Sequence, residues 1–93
     1  MTTGLSLNPA GCDGPLLVEA ARRAEAAGFD AVWCYDHLSG AVLGADHCLE
    51  VWSALGAIAA VTERVQLGPL VANVTTRPAA QLVAAAASLQ SLS

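Results

Sequence analysis

The sequence has no lysine and only four arginines, so positive charge is scarce. Eight acidic residues give a formal net charge of −4, which disfavours nucleic acids and anionic membranes as partners. Charged residues make up 13% of the 93 residues, where soluble domains usually have about 25%. Hydrophobic residues make up 55%, which excludes a disordered chain. We therefore expect one folded domain with neither a nucleic-acid nor a membrane partner.

Long apolar runs and paired cysteines are also missing. The longest apolar segments, 51–61 and 78–93, are shorter than the roughly 18 residues of a membrane-spanning helix and contain Ser, Gly or Gln. The first residues lack the basic and apolar regions of a secretory signal. The three cysteines show no C-x-x-C spacing, so neither a disulfide framework nor a zinc ribbon is indicated. The cytoplasm is the expected location.

Hydrophobic periodicity predicts strands and helices in strict alternation. Apolar runs predict strands at 5–8, 31–35 and 65–72. The middle run is continuous, which is typical of a strand covered on both faces. Helical spacing predicts a first helix that ends at Gly28, a second at 49–61 and a third from Pro78 to the end of the chain. The order β-α-β-α-β-α predicts an α/β fold with parallel strands and right-handed crossovers.

The ends and faces of these helices carry further expectations. Asp13 is available to cap the first helix, Pro15 suits its first turn, and its apolar stripe includes Leu16 and Leu17. The third helix has no charged residue, and the second has only Glu50. Because helices that are apolar nearly all round are buried on more than one side, we expect both to pack against a second subunit or the remainder of a larger fold.

Three separated motifs resemble one family, the luciferase-like flavin-dependent oxidoreductases. The first is AEAAGFDAVW at 24–33, and the second is YDHL at 35–38. The third is TERVQLGPLV at 62–71, followed by Asn73 and by Arg-Pro at 77–78, where the family usually has Arg-His-Pro. The motifs occur in the family's order, and the resemblance extends over essentially the whole chain from Gly4.

This resemblance implies a (β/α)₈ barrel, a fold of about 250 residues. The chain supplies the first three β-α units, so we expect residues 1–93 to form a partial barrel domain, an N-terminal fragment. The family continues into Leu-Ser-Gly-Gly-Arg where this chain stops at Leu92-Ser93. The resemblance also implies a homodimer through the second and third helices, a small-molecule substrate, and either FMN or a deazaflavin coenzyme of the 8-hydroxy-5-deazaflavin type. Asp36-His37 and the Gly-Pro-Leu-Val strand at 68–71 lean slightly towards the deazaflavin branch.

Site residues follow from the ends of the strands, where (β/α)₈ enzymes build their sites. The resemblance implies that Asp36 contacts the cofactor ring region and that His37 moves a proton or assists hydride transfer at the substrate. An imidazole suits this role because its ordinary pKa of about 6.5 is near neutral pH. The resemblance further implies that Asn73 hydrogen-bonds the cofactor and that the backbone of Leu70 and Val71 lies behind its ring.

An irregularity is expected at Leu70–Val71, because Gly68-Pro69 interrupts the apolar run and Pro69 donates no ladder hydrogen bond. Family members often carry a strained bulge here. A non-proline cis peptide is one form of it, and an ordinary trans strand kinked by proline is the alternative.

Each assignment has a simpler alternative. Asp36 can cap a turn with His37 in a solvated loop, Asn73 can be a turn residue, and Arg77 is better read as a solvated charge than as a phosphate ligand. Trp33 and Trp52 are expected to be core anchors.

Three broader alternatives stay open. A zinc site at Asp46-His47-Cys48 with His37 would have suitable ligand types but lacks paired spacing, so we expect no metal. A dinucleotide-binding domain fits the same β-α order, but residues 8–14 do not contain G-x-G-x-x-G. The third is a non-catalytic barrel segment that only pairs with another chain.

Overall fold

Three β-strands and three α-helices alternate along the chain in the computed structural model, which describes residues 1–93. The strands are β1 (Gly4–Leu7), β2 (Ala31–Cys34) and β3 (Gln66–Pro69). The helices are α1 (Gly14–Ala26), α2 (Val51–Ala59) and α3 (Ala79–Leu92). The strands form one open parallel sheet in the order β1-β2-β3. The expected alternation and the parallel sheet are confirmed, and they fit the first β-α units of a TIM-type fold.

The third strand is shorter than its apolar run predicts. It ends at Pro69, which lies opposite Cys34, the last residue of β2. One further backbone hydrogen bond, from Leu70 N to Cys34 O at 2.7 Å, holds the chain at the sheet edge. The expected irregularity is confirmed, because the Leu70–Val71 peptide bond is cis and the chain leaves the sheet there. The segment that follows is therefore a loop rather than strand.

The expectation that Asp13 caps α1 is wrong. Asp13 occupies the N-cap position, but its side chain makes no capping hydrogen bond. An N-cap side chain accepts from the N–H of N2 or N3; Pro15 at N2 has no N–H to donate, and the N–H of Leu16 at N3 does not bond the carboxylate either. The other end is as expected: Gly28 has φ 94°, and the N–H of Phe29 and Gly28 donate to Ala24 O and Glu25 O, which is a Schellman motif.

The core lies between one face of the sheet and the helices. Its fully enclosed members are Ala21, Val32, Cys34, Leu55 and Ile58. Three of the four β2 residues are buried, as the continuous apolar run predicts.

The helices α1 and α3 leave large apolar side chains exposed. In α1 Leu17 is buried, but Leu16, which was expected in the same stripe, is exposed. In α3 only Leu89 is buried, while Val83 and Leu92 are 68% and 69% exposed. None of the helices has the length and apolar character needed to cross a membrane.

Trp33 covers the opposite face of the sheet. A Cβ added at Gly68 in β3 would lie 2.7 Å from Trp33 Cζ3, and one added at Gly4 in β1 would lie 2.5 Å from Trp33 Nε1. The indole on β2 therefore spans all three strands, and two glycines make the space for it. The prediction that Trp33 is a core anchor is therefore wrong: its half-buried ring packs over the face of the sheet that points away from the core, whereas Trp52 does pack against the core.

Candidate functional site

A cavity opens where β2 and β3 end, at the carboxyl edge of the sheet. It has a volume of about 450 Å³ and is lined by Asp36, His37 and residues 70–74. We call residues 70–74 the wall segment. Ligand pockets usually measure about 300–1,000 Å³, so this space is large enough for part of a small molecule. The edge is also the one at which TIM-type enzymes place their sites.

Asp36 is the most enclosed polar side chain of this region, with 3% of its side chain exposed. Arg77 binds it with both terminal nitrogens: Nη1 donates to Oδ2 at 2.6 Å and Nη2 donates to Oδ1 at 3.0 Å. The backbone N–H of Asn73 also donates to Oδ2, at 2.7 Å. A bidentate guanidinium–carboxylate pair is geometrically specific, so the two side chains fix each other's orientation.

Arg77 also reaches a second carboxylate. Its Nη2 donates to Glu50 Oε1 at 2.6 Å, and Glu50 Oε2 accepts from Ser53 N at 2.7 Å at the start of α2. The expectation of a solvated charge is therefore wrong, since the Arg77 side chain is only 17% exposed and its guanidinium lies between two carboxylates. The hydrogen bond to Asp36, opposed by partial burial and reinforced by Glu50, raises the pKa of Arg77.

The pKa of Glu50 moves in the opposite direction. Partial burial would raise it, but hydrogen bonds from Ser53 and from Arg77 outweigh that effect and lower the pKa. Glu50 was not singled out from the sequence as a site residue. The sequence did contain a signal, because Glu50 is the one charged residue of an otherwise apolar helix segment. In the structure its side chain accepts from the N–H three residues on, as an N-cap does.

His37 is the second titratable side chain that lines the cavity. Unlike Asp36, it forms no ion pair. It is half-buried, and its ring meets Tyr35 edge to face, with centroids 6.3 Å apart and planes at 79°. Such edge-to-face contacts are favourable for aromatic rings and restrict the imidazole to one side.

Asn73 and the residues before it form the rest of the wall segment. Asn73 Oδ1 accepts from Thr75 N at 3.0 Å and from Thr75 Oγ1 at 2.6 Å, so the side-chain oxygen closes a turn. Its amide nitrogen is the side-chain group that remains for a ligand. Leu70 and Val71, 46% and 72% exposed, give the cavity an apolar surface.

The other candidate groups lie outside this cavity. His47 Nε2 lies 3.3 Å from Cys12 O, and no group of three or more His, Cys, Asp and Glu side chains is placed to hold a metal ion. All three cysteines are free thiols, and burial raises the pKa of Cys34 to about 11. Trp52 Nε1 is buried without a hydrogen-bond partner.

The fold and this edge define a class: an α/β chain of the TIM type whose candidate site stands at the carboxyl ends of its strands. The sequence model of the luciferase-like monooxygenases matches residues 9–93. The chain therefore belongs to the luciferase-like monooxygenase family, whose members carry out flavin-related oxidoreductase chemistry. A search of curated proteins finds no match. The rival dinucleotide-binding interpretation shares the strand order β1-β2-β3, so the family match decides between the two folds.

Proposed function

We propose that this chain forms one side of the cofactor site of a luciferase-like oxidoreductase that acts on a small molecule with FMN or an 8-hydroxy-5-deazaflavin coenzyme. The observation that carries the proposal is the cavity at the carboxyl edge, which combines an apolar wall at Leu70 and Val71 with one unpaired imidazole, His37. A flat apolar wall beside a few polar groups fits an isoalloxazine-type ring.

Each cavity residue then has a separate task. Leu70 and Val71 pack behind the ring and exclude water from that face. Asn73 offers its amide nitrogen to a ring oxygen or nitrogen. His37 holds or moves a proton at the substrate, for which imidazole is suited near neutral pH. The bound cofactor supplies the redox chemistry, as a hydride carrier or, with FMN, as an oxygen-activating group.

The choice between FMN and a deazaflavin rests on two motifs. Asp36-His37 and the Gly-Pro-Leu-Val segment at 68–71 both lean slightly towards the deazaflavin branch, but family members of both branches share them. Competition between the two cofactors for the same protein decides this point.

A second candidate is a barrel segment that has no activity and persists by pairing with another chain. The uncharged α3, with Val83 and Leu92 exposed, favours it. The same surface supports the proposal that the complete protein is a homodimer through α2 and α3. Both strands at the edges of the sheet are also unpaired on one side.

The test uses a completed barrel, in which this chain is joined to the remaining five β-α units of a luciferase-like oxidoreductase. We expect the completed barrel to bind FMN or the deazaflavin at micromolar concentration, measured by cofactor fluorescence. We expect the 93-residue chain alone not to bind either cofactor stoichiometrically at that concentration, because three strands leave the site open. A completed barrel that folds but binds neither cofactor contradicts the proposal.

A further inference from the structure

Both oxygens of Asp36 are already occupied by partners from the protein. Oδ1 accepts from Arg77, and Oδ2 accepts from Arg77 and from the backbone N–H of Asn73. The side chain is 3% exposed, although the residue borders the cavity. Three donors fill three of the roughly four acceptor positions of the carboxylate, and the low exposure of the side chain keeps the remaining position on Oδ1 from a ligand. The carboxylate is therefore arranged to hold the protein together rather than to meet a cofactor.

The partners of Asp36 come from separate parts of the chain. Asp36 follows β2, Glu50 begins α2, and Asn73 and Arg77 belong to the loop between β3 and α3. We call Asp36, Arg77 and Glu50 the carboxyl-edge network. It connects these three segments through side chains, in addition to the backbone bond from Leu70 N to Cys34 O.

The wall segment has few other attachments. Its start is held by Leu70 N bonded to Cys34 O, and its end makes local bonds, from Thr75 N to Asn73 Oδ1 and from Thr76 Oγ1 to Asn73 O. Local bonds shape a turn but do not fix it to the rest of the fold. The bond from Asn73 N to Asp36, together with the Arg77 pair, is what joins this turn to β2.

We infer that Asp36 and Arg77 are positioning residues: the carboxyl-edge network sets the wall segment against the cavity, and Asp36 acts on a bound cofactor through that wall without touching it. This inference rests on the proposed function for the identity of the ligand, but the placement of the wall is a property of the protein alone. It replaces the ring contact that the family resemblance implies for Asp36.

The first experiment measures amide hydrogen exchange in the 93-residue chain, without any cofactor. In Arg77→Gln we expect the amide of Asn73, the wall amide that donates to Asp36, to exchange roughly tenfold faster or more, relative to those of β2. The Asn73 amide proton, which donates to a buried carboxylate, should also lose its distinct chemical shift. Arg77→Lys, which keeps the charge, should restore part of both signals. Arg23→Gln is the matched control, because Arg23 pairs only with Glu19 on the surface of α1.

Two results would overturn the inference. One is unchanged exchange at the wall segment, and the other is an equal acceleration at every amide, which would mean only a general loss of stability. If Arg77→Gln does not fold, Glu50→Gln and Arg77→Lys are used instead. In these variants too, the exchange rates of the wall amides are compared with those of the β2 amides.

The second experiment measures FMN affinity in the completed barrel for Asp36→Asn, Arg77→Gln and the double variant. Positioning through the pair predicts that the double variant binds FMN about as weakly as either single one. A direct contact between Asp36 and the cofactor predicts additive losses, and that result would overturn the inference. An unaltered barrel that folds but binds neither FMN nor the deazaflavin would contradict the proposed function, while the exchange experiment would still decide the role of the network.

Discussion

The two edges of the sheet use carboxylates in different ways. At the amino edge, Glu25 at the end of α1 accepts hydrogen bonds from the backbone N–H groups of Glu63, Arg64 and Val65, at 2.6–3.1 Å. These bonds, led by those of Arg64 and Val65, lower the pKa of Glu25 despite its partial burial. At the carboxyl edge, Asp36 depends mainly on one side chain, that of Arg77.

This difference separates stability from function. Backbone donors are present whatever the side chains are, so the amino edge tolerates sequence change in the loop that it holds. The carboxyl edge depends on a guanidinium that a single substitution removes, and it borders the cavity with His37. In TIM-type folds the amino edge generally serves stability and the carboxyl edge carries the chemistry. Glu25 lies at the first of these edges and Asp36 at the second.

The largest effect is expected on turnover, when the imidazole of His37 at the carboxyl edge is removed. In the completed barrel, His37→Ala should lower turnover by about 10²–10⁴-fold, the usual contribution of a positioned acid or base, with little change in cofactor affinity. Steady-state kinetics and a fluorescence titration measure the two quantities. His47→Ala is the control, since His47 lies outside the cavity. Unchanged turnover in the His37 variant would remove it from the mechanism.

The next effect tests the dependence on Arg77. Arg77→Gln leaves the buried carboxylate of Asp36 without its cation, so the free energy of unfolding should fall by about 2–3 kcal/mol. Urea unfolding of the 93-residue chain measures this, with Arg23→Gln as the control. If both variants lose the same stability, the carboxyl edge is no more sensitive to charge than the surface of α1.

A smaller loss is expected at the amino edge. Glu25→Ala removes the acceptor of three backbone N–H groups that water can partly replace, so we expect a loss of about 1–2 kcal/mol in the same urea experiment. Glu63→Ala should have no measurable effect, because the Glu63 backbone rather than its side chain makes the contact. A loss at Glu25 that exceeds the loss at Arg77 would reverse the comparison.

The smallest effect is a dependence on pH. Because the folded pKa of Glu25 lies below its ordinary value of 4.5, its contribution to stability is complete above pH 4.5 and is lost as the pH falls through the lowered value. Unfolding free energies measured from pH 6 downward should therefore decline less steeply in Glu25→Gln than in the unaltered chain. Parallel declines would show that other carboxylates account for the acid sensitivity.

Much of the fold was predictable from local patterns. The continuous apolar run predicted β2 as a covered strand, and Gly28 predicted the end of α1. Both predictions are local, because a strand covered on both faces needs consecutive apolar residues and a left-handed backbone position favours glycine. Asp13 is the exception: it occupies the N-cap position without making the capping bond, and Pro15 removes only one of the two N–H groups that could have donated it.

The site was predictable only in part. Asp36, His37 and Asn73 follow strands, and the structure brings all three to one cavity together with Leu70 and Val71. The roles of these residues in binding and catalysis remain predictions. No pattern indicated that Asp36 would be enclosed by a guanidinium, because its partner lies 41 residues away.

The sequence by itself determined the alternation of strands and helices, the interruption at Gly68-Pro69, and the membership of a family, since each depends on the order of neighbouring residues. Only the tertiary structure decided which charges meet. Arg77 reaches Asp36 and Glu50 because parallel strands bring the ends of β2 and β3 to one edge and because α2 starts beside them. The physical reason is that an ion pair is set by distance in space, and separation along the chain does not encode that distance.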